Sequence, residues 1–239
     1  MANGVPSTHV QTVPLGPAVL DVEWTPHESK LIPMLCVATS TGSLEFFAFD
    51  AEVEKLTLKS SKQISDTETL VLDLLWHPSR ADIIAVTLSD GTVSLCRSDD
   101  STNPWSSSSQ TTMTELTCHS LEPWTLAFSP DASHVFSGGD DAVLQAMQVS
   151  LDSSSDEDNG PSSTTLWTDR KTHEAGVTAI LPLANDLLIT GSYDDNIRLI
   201  AAPPVGRRQV LAELNLSGGV WRLRMLDDDT ISNDADNDR

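Results

Sequence analysis

A beat of 52 residues runs through the chain: Pro26, Pro78, Pro130 and Pro182 each close an alternating apolar segment. In each unit a second apolar run follows, then a tight polar turn, then a third run. The units read VLDVEWTP with MLCVATSTGSLEFFAF, VLDLLWHP with IIAVTLSDGTVSL, PWTLAFSP with HVFSGGDDAVLQAM, and VTAILP with LLITGSYDDNIRLI. Period-two alternation is the pattern of strands. The turns Thr41-Gly42, Asp90-Gly91, Asp140-Asp141 and Asp194-Asp195 carry residue types that tolerate tight or left-handed backbone, so each joins an antiparallel pair. In VLDLLWHP both faces are apolar, as a sheet packed between two neighbouring sheets requires.

A fourth, outer strand per unit is expected from KLTLKS, TTMTELT, TTLWT and QVLAEL. Four strands per repeat, at roughly 40–50 residues each, predict an all-β chain of the WD40-type β-propeller class. The expected blades run about 17–60, 69–118, 121–169 and 175–215, with the start of a fifth at 217–226 and an acidic tail at 227–239. Four blades and one strand do not close a ring, and propellers close to leave no edge bare. The expectation is therefore an incomplete propeller over 1–226, short of closure by roughly 100–150 residues. HVQTVPL (9–15) reads as an outer strand meant for the last blade of a full ring. The serine-rich segments 98–114 and 150–165 read as solvated insertions that cannot bury enough apolar surface to order themselves.

Charge narrows the function classes. Fourteen Lys and Arg against 35 Asp and Glu leave a formal charge of −21. Such a field repels phosphate backbones and anionic lipid, so no nucleic-acid and no membrane partner is expected, whereas a cationic ligand suits it. Cys36, Cys96 and Cys118 are odd in number and widely spaced, which fits neither a disulfide framework nor a zinc site. With no secretory signal pattern and no long apolar run, a cytoplasmic monomer is the expectation.

The stretch from 119 to 222 carries more specific letters. His119-Ser120-Leu121-Glu122-Pro123-Trp124 precedes Ser137-Gly138-Gly139-Asp140-Asp141. His173, Gly191-Ser192-Tyr193-Asp194-Asp195 and Gly218-Gly219-Val220-Trp221-Arg222 follow. This succession resembles the WD-repeat diphthine methyl ester hydrolase (diphthine methyltransferase) family of diphthamide biosynthesis. Pro123 departs from the family's usual alanine, and the Trp-Asp dipeptide is absent throughout. The resemblance implies hydrolysis of a methyl ester on the modified histidine of translation elongation factor 2, that factor as partner, and no metal or organic cofactor. The other reading, which fold class alone favours, is a non-enzymatic scaffold.

No Gly-x-Ser-x-Gly elbow occurs, so a serine-esterase device of that kind is unsupported. Two histidine–carboxylate sets remain: His119 with Glu122 and Asp140, and His173 with Glu174 and Asp194. A histidine with a carboxylate partner activates water as a general base. The same spacing suits a histidine that hydrogen-bonds the turn aspartate and locks its blade. Blade locking does not require Glu122, which makes it the candidate catalytic acid. The substrate's trimethylammonium group has no N–H, so aromatic faces and carboxylates would hold it. Trp124, Tyr193 and Trp221, with Asp141 and Asp195, are the candidate cage, and packing between blades is the competing role for the tryptophans. Arg222 is expected in an ion pair.

Overall fold

The computed structural model describes residues 9–26, 33–151 and 161–225. The acidic tail and most of the second serine-rich segment lie outside the described residues. The rest forms four antiparallel four-stranded sheets, each in simple sequence order. Blade 1 holds β1 (Val19–Trp24), β2 (Met34–Thr39), β3 (Ser43–Asp50) and β4 (Lys55–Gln63). Blade 2 holds β5 (Val71–His77), β6 (Arg80–Leu88), β7 (Thr92–Ser98) and β8 (Thr111–Cys118). Blade 3 holds β9 (Pro123–Phe128), β10 (His134–Gly139), β11 (Leu144–Ser150) and β12 (Ser162–Asp169). Blade 4 holds β13 (Val177–Leu183), β14 (Leu187–Ser192), β15 (Asn196–Ala201) and β16 (Gln209–Asn215). The inner strands β1, β5, β9 and β13 stand side by side, so the blades fan round an axis without closing into a full propeller. All four expected outer strands are present.

Every inner strand carries a bulge at the same place. Pairing skips Leu20, Leu72, Trp124 and Thr178, one residue into each ladder. A bulge re-aims the skipped side chain and shifts the alternation after it. In β5 this puts Val71 on the same face as Leu74 and Trp76, all buried in the core shared with blade 1, while Leu75 packs toward blade 3. The bulges also correct the expected register of the fourth unit. Pro26, Pro78 and Pro130 each lie six residues past their bulge, but Pro182 pairs with Leu188 inside β13. It is not the structural equivalent of the other three.

Three further expectations change. The third turn is Asp141-Ala142, one residue later than expected, because Ala142 (φ +57°) takes the left-handed place filled by Gly42, Gly91 and Asp195. HVQTVPL forms no strand; the Gln11 side chain donates to Leu56 O (3.0 Å) and accepts from Leu56 N (2.8 Å), lying along the outer strand of blade 1. Segment 98–110 is no solvated insertion. Its Trp105 is fully buried, stacks on Phe46 at 4.8 Å and donates from Nε1 to Ala81 O at 2.7 Å. One large aromatic side chain outweighs the polar composition around it, because burying a tryptophan removes more apolar surface than any other residue supplies.

After β16, residues 220–225 pair in no ladder yet occupy the place of a fifth inner strand. A Cβ on Gly138 would lie 2.6 Å from Val177, and one on Gly191 would lie 2.4 Å from Val220, so Val220 repeats the seat of Val177 one blade on. Val220 N donates to Ser192 O (3.2 Å), and Thr178 Oγ1 donates to Val220 O.

Candidate functional site at the channel mouth

The bulge in β9 and the seat of Val220 bring three aromatic rings together. Trp124 is the bulged residue, and Trp221 follows Val220 as Trp124 follows Pro123. Their ring centroids are 6.1 Å apart, nearly perpendicular, and Tyr193 meets Trp221 at 5.1 Å in the same edge-to-face manner. Gly219 makes this possible, since a Cβ there would come within 2.8 Å of the Tyr193 ring. Trp221 is 55% exposed and Tyr193 40%, while Trp124 is partly buried and its Nε1 has no hydrogen-bond partner among the described residues. Asp140 lies beside Tyr193: a Cβ on Gly176 would touch both. Burial and, after it, Asp140 raise the tyrosine's pKa.

The other candidates sit differently. The Asp141 carboxylate is engaged below the rim, with Oδ1 3.0 Å from His119 Nδ1 and accepting from Val143 N, and Oδ2 accepting from Ser120 N. His119 thus pairs with Asp141 and not, as expected, with Asp140, a consequence of the one-residue shift in the turn. Its other nitrogen, Nε2, lies 2.9 Å from Ser137 Oγ, and the side chain is buried. His173 is also buried, but its Nε2 meets Thr190 Oγ1 at 2.9 Å and its Nδ1 has no partner among the described residues. The expected His173–Asp194 bond is absent, because Asp194 instead accepts from Glu174 N (3.0 Å) and Arg198 Nη1 (2.7 Å). Burial, with Arg198 next, drives the His173 pKa down to about 4. Glu122 is half-buried at the start of β9, with its carbonyl accepting from Asp140 N at 2.8 Å. Asp195 holds the left-handed turn position of blade 4. Cys118 donates to His119 O, and burial followed by Glu115, Asp90 and Asp141 raises its thiol, the opposite of what a nucleophilic cysteine needs.

Below the aromatic group an open cleft of about 600 Å³ follows the axis, lined among others by Glu23, Asp73, Trp124, Trp221 and Arg222. Its carboxylates come from charges set within apolar strands, VLDVEW and VLDLLW. Asp21 Oδ2 accepts from Leu74 N (3.2 Å) and Asp73 Oδ2 from Leu126 N (2.9 Å), so each staples its inner strand to the next. Arg222 Nη2 donates to Asp21 Oδ1 at 2.9 Å, joining residues at opposite ends of the chain in the ion pair expected of it. Burial, reinforced by Asp21, pushes the Asp73 carboxyl well above its ordinary value. Glu23 is raised by burial and then by Asp21, against Arg222 and Arg224. Sequence reading did not single out Asp21, Glu23 or Asp73 as site residues. The signal was an aspartate at the third position of two largely apolar strands, 52 residues apart, with Glu23 two residues on in the first.

The WD domain, G-beta repeat family matches residues 110–145. The chain is 30% identical over 215 residues to the diphthine methyltransferase of Schizosaccharomyces pombe, covering 88% of this chain and 57% of that one. It is 31% identical over 220 residues to a diphthine methyltransferase homolog of Dictyostelium discoideum, covering 90% and 57%. With the mouse diphthine methyltransferase the identity is 27%, over 87% of this chain and 42% of that one. The chain therefore spans about 57% of the length of the first two. Among solved structures, polycomb repressive complex 2 of Chaetomium thermophilum superposes with a TM-score of 0.64 at 16% identity, over 88% of this chain and 50% of that one, a likeness of fold.

Proposed function

Starting from the chain's standing as a WD40-repeat protein related to the diphthine methyltransferases, we propose that it acts in diphthamide biosynthesis on translation elongation factor 2. The step is hydrolysis of the methyl ester of diphthine methyl ester. Water adds to the ester carbonyl, the bond to methoxide breaks, methanol leaves with the proton, and a carboxylate remains for a separate amidating enzyme. The observation that carries the reading is the meeting of Trp124, Tyr193 and Trp221 at the mouth of an acid-lined cleft. Aromatic faces in a negative field suit a trimethylammonium group.

Both histidine rings are buried and held within their blades, so their part is to fix the starts of β9 and β13. Water activation then falls to a carboxylate, and Glu122, two residues before Trp124, is assigned that role. Glu122→Gln should lower kcat about 10²- to 10⁴-fold with little change in KM, as loss of a general base does. Trp124→Ala should raise KM by about 3- to 30-fold, the worth of one cation–π contact. Methanol release from methyl-esterified elongation factor measures both. Equal loss of hydrolysis and of fold stability in Trp124→Ala rejects the cage. Mass spectrometry of the modified histidine in cells lacking the protein tests the reading as a whole: accumulated methyl ester supports it, and normal diphthamide leaves a scaffold.

A further inference from the structure

Three of the four inner strands carry an aromatic residue four places past the bulge: Trp24, Trp76 and Phe128. The fourth carries Pro182. In blades 2 and 3 that ring is buried in the seam with the preceding blade, Trp76 against Phe46 at 6.1 Å and Phe128 beside Ile83 and Ala85. The first seam receives another ring, Trp105, from the loop between β7 and β8. The matching loop of blade 4, between β15 and β16, inserts none, and its Val205 is 87% exposed. The seam between blades 3 and 4 thus lacks both rings, and Phe136 and Trp167 fill only part of the space. A cavity of about 220 Å³ remains, bounded by Pro182, Ala202, Ala146 and Leu188 with those two rings. Apolar cavities of about 150 Å³ take up benzene, so this one has room for an aromatic ring.

Polar groups gather at one end of the cavity. Phe136, Trp167, Leu188 and Ala202 are buried, whereas Asp131, Asn185 and Asp186 form an exposed lip. Ala132, Asn185 and Asp186 take left-handed backbone at φ +57° to +61°, in tight turns that shape this lip. Asp131 Oδ1 accepts from Ser129 Oγ (2.6 Å), Ser133 N (3.1 Å) and Ser133 Oγ (2.8 Å). These bonds, that from Ser129 foremost, hold its carboxyl down at about 2, so it stays charged. Arg208 stacks on the Trp167 ring at 5.2 Å, so that ring already holds one cation. The lip belongs to the β9–β10 and β13–β14 connections, at the opposite ends of the strands from the turns that carry Asp140 and Tyr193.

We propose that this cavity is a second binding site, for an aromatic ring on a short carbon chain that ends in an ammonium group. The ring fills the kind of seat that Trp76 and Trp105 occupy in the first seam, and the ammonium meets Asp131 and Asp186 on the lip. Burial of the ring supplies most of the attraction, and the few polar groups at the edge set orientation and charge preference. The site is independent of ester chemistry at the channel mouth.

Calorimetric titration of the full chain with tryptamine, with its uncharged analogue tryptophol and with ringless ethylamine tests this. Saturable binding of one tryptamine is expected, with tryptophol about 2- to 5-fold weaker and no binding of ethylamine. Pro182→Phe restores the ring that Phe128 supplies in blade 3, and should weaken tryptamine at least about 10-fold while the melting temperature holds or rises. Ala202→Leu fills the cavity from another wall and gives the same readout should Pro182→Phe fold poorly. Asp186→Asn, on the exposed lip, should weaken tryptamine about 2- to 5-fold. Trp221→Ala, at the other end, should leave the affinity unchanged. Filled variants that bind like the parent chain, loss of binding in Trp221→Ala, or equal binding of tryptophol overturns the proposal. A tripeptide beginning with tryptophan carries the same ring and ammonium: tighter binding than tryptamine identifies a peptide amino end as the ligand, and weaker binding a free amine.

Discussion

The seam between blades 1 and 2 and the seam between blades 3 and 4 use one strand order to different ends. In the first, Phe46, Trp76 and Trp105 meet at 4.8–6.2 Å beside the buried Cys36 and Cys96, a dry aromatic plug. In the second, Phe136 and Trp167 are tilted at 6.1 Å beside a cavity of about 220 Å³, and the histidines add polar locks near the rim. The left-handed turn position follows the same division: Gly42 and Gly91 in the first half, Ala142 and Asp195 in the second. The first half places its aromatic side chains in the interior. The second half places Trp124 and Tyr193 at the channel mouth, where Trp221 joins them and a ligand can reach two of the rings.

Truncating one buried tryptophan in each seam, Trp105 and Trp167, should break this comparison most visibly. Trp105→Ala should cost about 3–5 kcal/mol in urea unfolding, the range for emptying a packed aromatic site. Trp167→Ala should cost less, since its side chain already borders a void and stacks under Arg208 at 5.2 Å. Equal losses would mean that the two seams are packed alike.

Next in size is a pH effect at His173, in the second half. The His173 pKa is near 4 when folded against 6.5 when free. Between these values the unfolded chain binds the extra proton, so the stability owed to neutral His173 is complete above pH 6.5 and is lost as pH falls toward 4. Full loss amounts to roughly 3 kcal/mol. The difference between the chain and His173→Gln, in urea midpoints from pH 7 to 4, isolates this from the many carboxylates. A pH-independent difference would show that His173 titrates as a free histidine.

The smallest effect separates a strand from its imitation. Gly138→Ala drives a Cβ against Val177, fixed in β13, and should cost about 1–3 kcal/mol. Gly191→Ala presses as closely on Val220, but 220–225 has no ladder partner and can yield, so its cost should be smaller. Comparable losses would show that Val220 is held as rigidly as Val177.

Much of this was legible in the letters. Apolar runs, alternation and spacing found the four sheets and their outer strands, because doubly buried inner strands read as apolar runs, half-buried outer ones alternate, and turn residues bound both. The aromatic candidates were legible as a group from their corresponding places in successive blades; the edge-to-face contacts between their rings were not. Pro182 kept the beat while leaving the register, since a proline marks a strand's end only when pairing stops there. The histidine partners moved for a similar reason: a one-residue shift in a turn changes which aspartate the ring meets, and Arg198 competes for the other.

The order of strands, the number of sheets and the acid excess were thus determined by the chain's own pattern, because each depends on local periodicity or on a sum over residues. Tertiary structure alone decided that Trp105 leaves a serine-rich loop for the core, that Asp21 meets Arg222 from the far end of the chain, and that Trp221 stands edge-to-face against both Trp124 and Tyr193. These contacts join residues from different blades, and only the angle at which the sheets fan round the axis brings such residues within reach.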